Sequence, residues 1–268
     1  VTDKGRQYVG NYSTFSNGDY CYCYYNCGND EVLYHSNGST YLSLDGSEGV
    51  EIYPKPCSPI LPYNTQKMQF AADSFDPMIG IKHFVGSFFV TVQDNDTQRI
   101  LYLDKNLNMR TVASSVSSYS LANDGKTILY IRDGGIYCVN GTKENAEATE
   151  LVSSGVQFFA PTADGKSVFY INNYDELYYI SAKGDISFIH DIDVDGWSKW
   201  SPQAQIFDYD KLAFHYGNAI YVTDGTEILE TSTLSVDVGY IICDAFTITV
   251  YGDDYSSGKW SACRSNDG

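Results

Sequence analysis

Two consecutive stretches set the hydrophobic pattern of this chain: NDGKTILYIRDGGIYCVNGT over residues 123–142 and ADGKSVFYINNYDELYYISAKGD over residues 163–185. Each reads as an Asp-Gly-Lys turn, a strand, a short polar turn and a second strand. Asp124-Gly125 and Asp164-Gly165 suit the turns, because glycine accepts the positive φ that such turns need. The strand that follows is apolar at every position. Ile128 and Tyr130 point to one side while Leu129 and Ile131 point to the other, and Val168 and Tyr170 oppose Phe169 and Ile171 in the same way. A sheet wetted on one side would alternate apolar with polar residues. These strands therefore need a packed layer above and another below, which a small antiparallel sheet stacked between copies of itself provides.

The pattern recurs. Ile136–Val139, Leu177–Ile180 and Ala219–Val222 form a second set of similar strands, and looser copies of the hairpin lie near Phe89 and Ile248. The two Asp-Gly turns are 40 residues apart, and self-similarity at about 40–45 residues marks a four-stranded propeller blade. The expectation is an all-β fold, a β-propeller of four-stranded antiparallel blades in a single domain over residues 1–268. Six blades fit the length best; seven are open if Tyr20–Tyr24 is the second strand of its blade. An antiparallel sandwich with coincidental spacing is the alternative.

Along the chain, residues 6–10 are expected to form a strand that closes the ring with the two strands of residues 246–263. Residues 18–53 make the first blade, with strands at Tyr20–Tyr24, Val32–His35 and Thr40–Leu44 around Asn37-Gly38. Pro54, Pro56, Pro59 and Pro62 exclude a central strand, so residues 54–67 are expected to be an inter-blade loop. Phe88–Val92 and Ile100–Asp104 belong to a blade over residues 78–113. Lys143–Glu150 has no apolar stripe and reads as a loop or a single turn.

Composition narrows the partners. A net charge of −17 opposes phosphate backbones and gains nothing at anionic lipid, so nucleic acid is not expected. No apolar run approaches the roughly 18 residues of a membrane helix, and no membrane insertion is expected. Of the seven cysteines, Cys138, Cys243 and Cys263 fall inside strand patterns as small hydrophobes. Cys27 with Cys57 is the pair to test for a disulfide. Cys21, Cys23 and Cys27 lack a second ligand pair at zinc spacing.

The fragments Asn123-Asp124-Gly125-Lys126, Ala163-Asp164-Gly165-Lys166 and Trp200-Ser201-Pro202 resemble pieces of the W-S-P-D-G-K blade signature of TolB-type, WD-like propeller repeats. The tyrosine-rich strands and the ending LYYISAKGD are similar to extracytoplasmic propellers of Gram-positive gut bacteria. The resemblance covers residues 84–251 and implies a secreted or cell-surface protein whose leader or anchor was removed or lies outside this chain. It implies nothing about activity.

Candidate chemistry is sparse. Asp191, Asp193 and Asp195 before Gly196 form a run that would suit Ca²⁺. Position 202, where an EF-hand glutamate would fall, is Pro202, and Lys199 stands at the integrin-type fourth carboxylate; a solvated turn is the other reading. Trp197 is free to stack on a ligand, a sugar ring for example, whereas Trp200 fits a blade core. His35 and His215 lie at strand ends in comparable hairpins, where capping or packing is the expectation. No G-x-S-x-G elbow or H-E-x-x-H is present. The reading is an extracytoplasmic binding or interaction module, monomeric, with a protein or glycan partner. A propeller hydrolase or lactonase with a carboxylate or metal site in its channel stays open, as does a glycan-binding sensor domain.

Overall fold

The computed structural model describes residues 24–28, 31–43, 49–60, 88–192, 204–207, 209–216, 218–235, 238–243, 248–252 and 260–263. Every regular element among them is a β-strand. They fall into two compact units, one up to residue 118 and one from residue 119 on.

In the first unit, β1 (Tyr24–Gly28), β2 (Glu31–Ser36), β3 (Ser39–Ser43) and β4 (Val50–Tyr53) form an antiparallel sheet in that order. Asn37 and Gly38, at φ of 51° and 77°, make the β2–β3 turn expected of this dipeptide. The first described strand starts at Tyr24, the last residue of the stretch expected over Tyr20–Tyr24: Tyr24 pairs with Tyr34 and Tyr25 with Leu33. Residues 6–10 and 20–23 lie outside the described residues.

A second sheet follows in the order β5 (Ser58–Ile60), β6 (Phe88–Asp94), β7 (Thr97–Leu103) and β8 (Met109–Leu121). The proline-rich loop expected over residues 54–67 is therefore interrupted by a strand, with Pro59 opposite Val90. β5 is the last strand of its sheet, and an edge tolerates a residue with no N–H. Residues 61–67 lie outside the described residues. Between the two sheets Leu33, Leu42 and Cys57 pack with Phe88, Val90, Val92, Leu101 and Leu103.

Cys57 is a free thiol, which corrects the Cys27–Cys57 pairing. Its side chain is buried in that apolar cluster, with the sulfur 3.6 Å from the Lys55 carbonyl oxygen. Its amide donates to Thr40 Oγ1 at 2.9 Å. These contacts fix the residue inside the core and leave the thiol packed as a small hydrophobe.

The end of β8 enters the second unit, where β9 (Thr127–Arg132), β10 (Gly135–Asn140) and β11 (Thr149–Val152) continue from it. Two four-stranded antiparallel sheets follow. One is β12 (Val156–Pro161), β13 (Val168–Asn172), β14 (Glu176–Ile180) and β15 (Ile186–Asp191). The other is β16 (Ala204–Phe207), β17 (Lys211–Tyr216), β18 (Ala219–Thr223) and β19 (Ile228–Thr233). Last come β20 (Val238–Cys243), β21 (Ile248–Gly252) and β22 (Trp260–Cys263).

The two-sided apolar pattern is now explained. Val168, Tyr170 and Ile180 pack against Leu129, Ile131 and Ile136 of the sheet before. Phe169, Ile171 and Leu177, the intervening residues, pack against Ala204, Ile206, Leu212 and Phe214 of the sheet after. Ala213, Ile220 and Val222 repeat the scheme against Val238, Ile241 and Val250. Each fully buried side chain of the size of Phe169 contributes about 1.5–3 kcal/mol, so strands buried on both faces carry most of the stability.

Backbone bonds pin successive sheets to one another. Asn123 N–H donates to Ala163 O and Ala163 N–H to Tyr209 O, both at 2.8 Å. At the other strand ends Val156 N–H donates to Gly134 O at 2.9 Å and Asn173 N–H to Gly155 O at 2.8 Å. The Asp-Gly turns at the first junctions are closed by their own carboxylates. Asp124 accepts from the amides of Lys126 and Thr127, and Asp164 from that of Lys166. Burial raises the pKa of both carboxyls, but these bonds outweigh it and hold them below the ordinary aspartate value.

Candidate functional site

The tyrosines recur in a fixed geometry. Tyr34 stacks on Tyr41 with centroids 5.4 Å apart, Tyr130 on Tyr137 at 5.5 Å, Tyr170 on Tyr178 at 5.3 Å and Phe214 on Tyr221 at 5.1 Å. Each pair sits directly opposite across the second and third strands of its sheet. Facing residues in an antiparallel ladder bring their side chains to about this distance. In the last sheet Tyr251 and Trp260 are opposite in register.

The next strand outward completes a row, and here one sheet departs from the others. Glu51 stands opposite Tyr41 and Glu150 opposite Tyr137, and each carboxylate accepts the facing phenol hydrogen, at 3.4 and 3.1 Å. Thr231 stands opposite Tyr221. Opposite Tyr178 is Phe188, which meets the tyrosine edge-on at 5.7 Å. Tyr178 turns its hydroxyl to Glu176 on its own strand, at 3.0 Å. That bond, then burial and the charges of Glu176 and Asp191, raise its pKa.

Phe188 is 51% exposed and Ile186, two residues before it, 52%. The nearby β13–β14 turn carries Tyr174, which is 83% exposed. The turn itself is built firmly. Asn172 Oδ1 accepts the amides of Tyr174 at 2.9 Å and Glu176 at 3.1 Å, and Asn172 Nδ2 donates to Glu176 Oε2 at 2.7 Å. Ile192 N–H donates to Asp175 O at 2.7 Å, tying the turn to the end of β15. Among the described residues, the buried Oδ1 of Asp175 has no hydrogen-bond partner. Glu176 faces Asp191 at the end of the sheet that carries the Tyr174 turn, Phe188 lies farther along opposite Tyr178, and Ile186 stands at the other end opposite Ile180.

Of the residues singled out from the sequence, Asp191 lies here, exposed at the end of β15 and opposite Glu176. Asp193, Asp195 and Trp197 lie outside the described residues. Among the described residues, no group of three or more His, Cys, Asp or Glu side chains is placed to hold a metal ion. Sequence reasoning missed Tyr174 and Phe188. Superposing the repeats would have exposed Phe188, because the matching outer positions hold Glu51, Arg110, Glu150 and Thr231.

Fold and site together define an all-β protein of successive antiparallel sheets, one of which exposes Tyr174 and Phe188. No family model matches the chain, and no curated protein matches it. Solved structures give distant likenesses. A chain of the mitotic checkpoint complex aligns with a TM-score of 0.45 and 13% identity over 87% of this chain and 70% of its own. Hsv2 of Kluyveromyces lactis gives 0.45 and 10% over 85% and 70%. The oligogalacturonate lyase of Vibrio parahaemolyticus gives 0.45 and 10% over 64% and 57%. Likenesses of this size carry nothing about activity.

Proposed function

We propose that this chain is an extracytoplasmic binding module on a six-bladed β-propeller closed by a strand from residues 6–10, and that it engages a protein or glycan partner as a monomer. The repeat period and the two-sided packing of each sheet support the scaffold. The resemblance of its blade repeats supports the location. The observation that carries the function is a pair of bare aromatic side chains on one sheet: Tyr174 on a turn held by its own hydrogen bonds, and Phe188 on the outer strand, where two other sheets place a carboxylate, Glu51 and Glu150. Loops and turns held on a rigid frame are where recognition residues concentrate.

The test is a displayed peptide library and a glycan array, both read with wild type and with Tyr174→Ala and Phe188→Ser. Ligands retained by wild type and lost with either substitution are expected. Metal-dependent turnover of a lactone or ester panel, lost with EDTA and untouched by both substitutions, overturns the reading. Melting with Ca²⁺ and with EDTA shows in parallel whether Asp191, Asp193 and Asp195 take that ion.

A further inference from the structure

Strand β15 is the last strand of its sheet. β14 holds one side of it, and among the described residues no strand pairs with the other. An unpaired edge presents alternate N–H and C=O groups to any extended chain, and proteins usually protect such edges with charge, proline or a bulge. β11 follows that rule, exposing Thr149 and Glu150, and β4 sets the exposed Glu51 next to its one exposed apolar residue, Val50. β15 exposes Ile186 and Phe188 on one face with Ser187 between them. Phe188 is also set in place from beneath, since it rests on Tyr178, which stacks on the buried Tyr170. A bulge displaces the ladder between Leu177 and Tyr178, which confines the regular, pairable stretch to the part of β15 up to Phe188.

Charge selects the occupant. A second copy would bring together two chains that each carry −17, with Asp185 and Asp191, both exposed, at the ends of each strand. A foreign strand with basic ends meets Asp185 at one end and Asp191 beside Glu176 at the other. Lys183, exposed in the preceding turn, is the nearby cation and lies before the start of the strand. Edge pairing supplies affinity through the main chain, and the alternate side chains supply selectivity.

We propose that β15 is a docking edge for an extended segment of a partner protein, with apolar side chains at alternate positions over Ile186 and Phe188 and lysine or arginine beyond each end. This rests on the binding-module reading and specifies its partner.

The probe is a synthetic peptide of alternating isoleucine and threonine with lysine at both ends, titrated by fluorescence polarisation. Saturable binding is expected, weakened about tenfold or more by Phe188→Glu and by N-methylation of alternate peptide amides, and weakened by added salt. Slower hydrogen exchange in β15 on binding is the second expected readout. Phe188→Glu restores the residue type found at Glu51 and Glu150, so its melting temperature should match wild type; Ile186→Lys is the second variant. Absence of binding, or binding indifferent to N-methylation and to both variants, overturns the proposal. A dimer that dissociates on Phe188→Glu overturns it in favour of a second copy. Glycan binding through Tyr174 with no peptide binding overturns the strand and leaves the broader reading standing.

Discussion

His35 and His215 hold the same place in two hairpins, one pair in from the turn, yet among the described residues His35 has a hydrogen-bond partner and His215 has none. His35 Nε2 lies 2.6 Å from the carbonyl oxygen of Cys57 and so ties the β2–β3 hairpin to the segment that follows its sheet. His215 is 4% exposed, and neither of its ring nitrogens finds a partner. It shares a face with Ala213, toward the cluster of Ile220, Val222, Ile241, Cys243 and Val250.

Burial alone pushes the pKa of His215 from 6.5 down to about 4. The unfolded chain therefore binds a proton before the folded chain does. Stability tied to neutral His215 is complete above pH 6.5 and is lost as the pH falls from there through 4. The loss approaches about 3 kcal/mol if the whole shift is realised. Urea melts of wild type between pH 7 and 4 should show this decline, and His215→Leu should flatten it. Parallel curves for the two proteins would rule the assignment out.

The Cys57 thiol is raised to about 11, mainly by burial. Native protein at pH 8 should leave Cys57 unmodified by a disulfide reagent over the time in which unfolded protein reacts fully. Peptide mapping under native and denaturing conditions reads this directly. A Cys27–Cys57 bridge in the non-reduced map would contradict it.

Gly225 has φ of +94°, and a Cβ there would fall 2.5 Å from the Tyr179 ring. Gly38 has φ of +77° with nothing within 4 Å of the same position. Gly38→Ala should lose about 1 kcal/mol from backbone strain alone. Gly225→Ala should lose more, because the tyrosine must also move. Denaturant midpoints of the two variants measure the difference, and equal losses would show that Tyr179 yields freely.

Tyr130 is buried and stacked on Tyr137. Tyr130→Ala should cost about 3–5 kcal/mol, in the range of other buried aromatic truncations. A double-mutant cycle with Tyr137→Ala should return a coupling of about 0.5–1.5 kcal/mol. Additive losses would mean that the stacking contributes only through area.

Much of this was legible beforehand, for a local reason. β9 and β13 announce themselves because an apolar residue at every position admits one explanation, a packed layer on both sides. Other features are set by partners far along the chain. Pro59 reads as a strand breaker until β5 is known to be an edge. The burial of Cys57 depends on Thr40 and His35, 17 and 22 residues earlier. Ile186 and Phe188 look like core residues in the sequence, and only the position of β15 at the rim of its sheet leaves them in water.

The links from Asn123 to Ala163 and from Ala163 to Tyr209 use main-chain atoms only. The joint asks only for a main-chain donor and acceptor, so the sequence of each sheet can drift while the link is kept. The two links close over unequal spans, 40 residues from Asn123 to Ala163 and 46 from Ala163 to Tyr209. The turns between can therefore lengthen without parting donor from acceptor, and the likeness of one sheet to the next can fade in letters and in length while the stack persists.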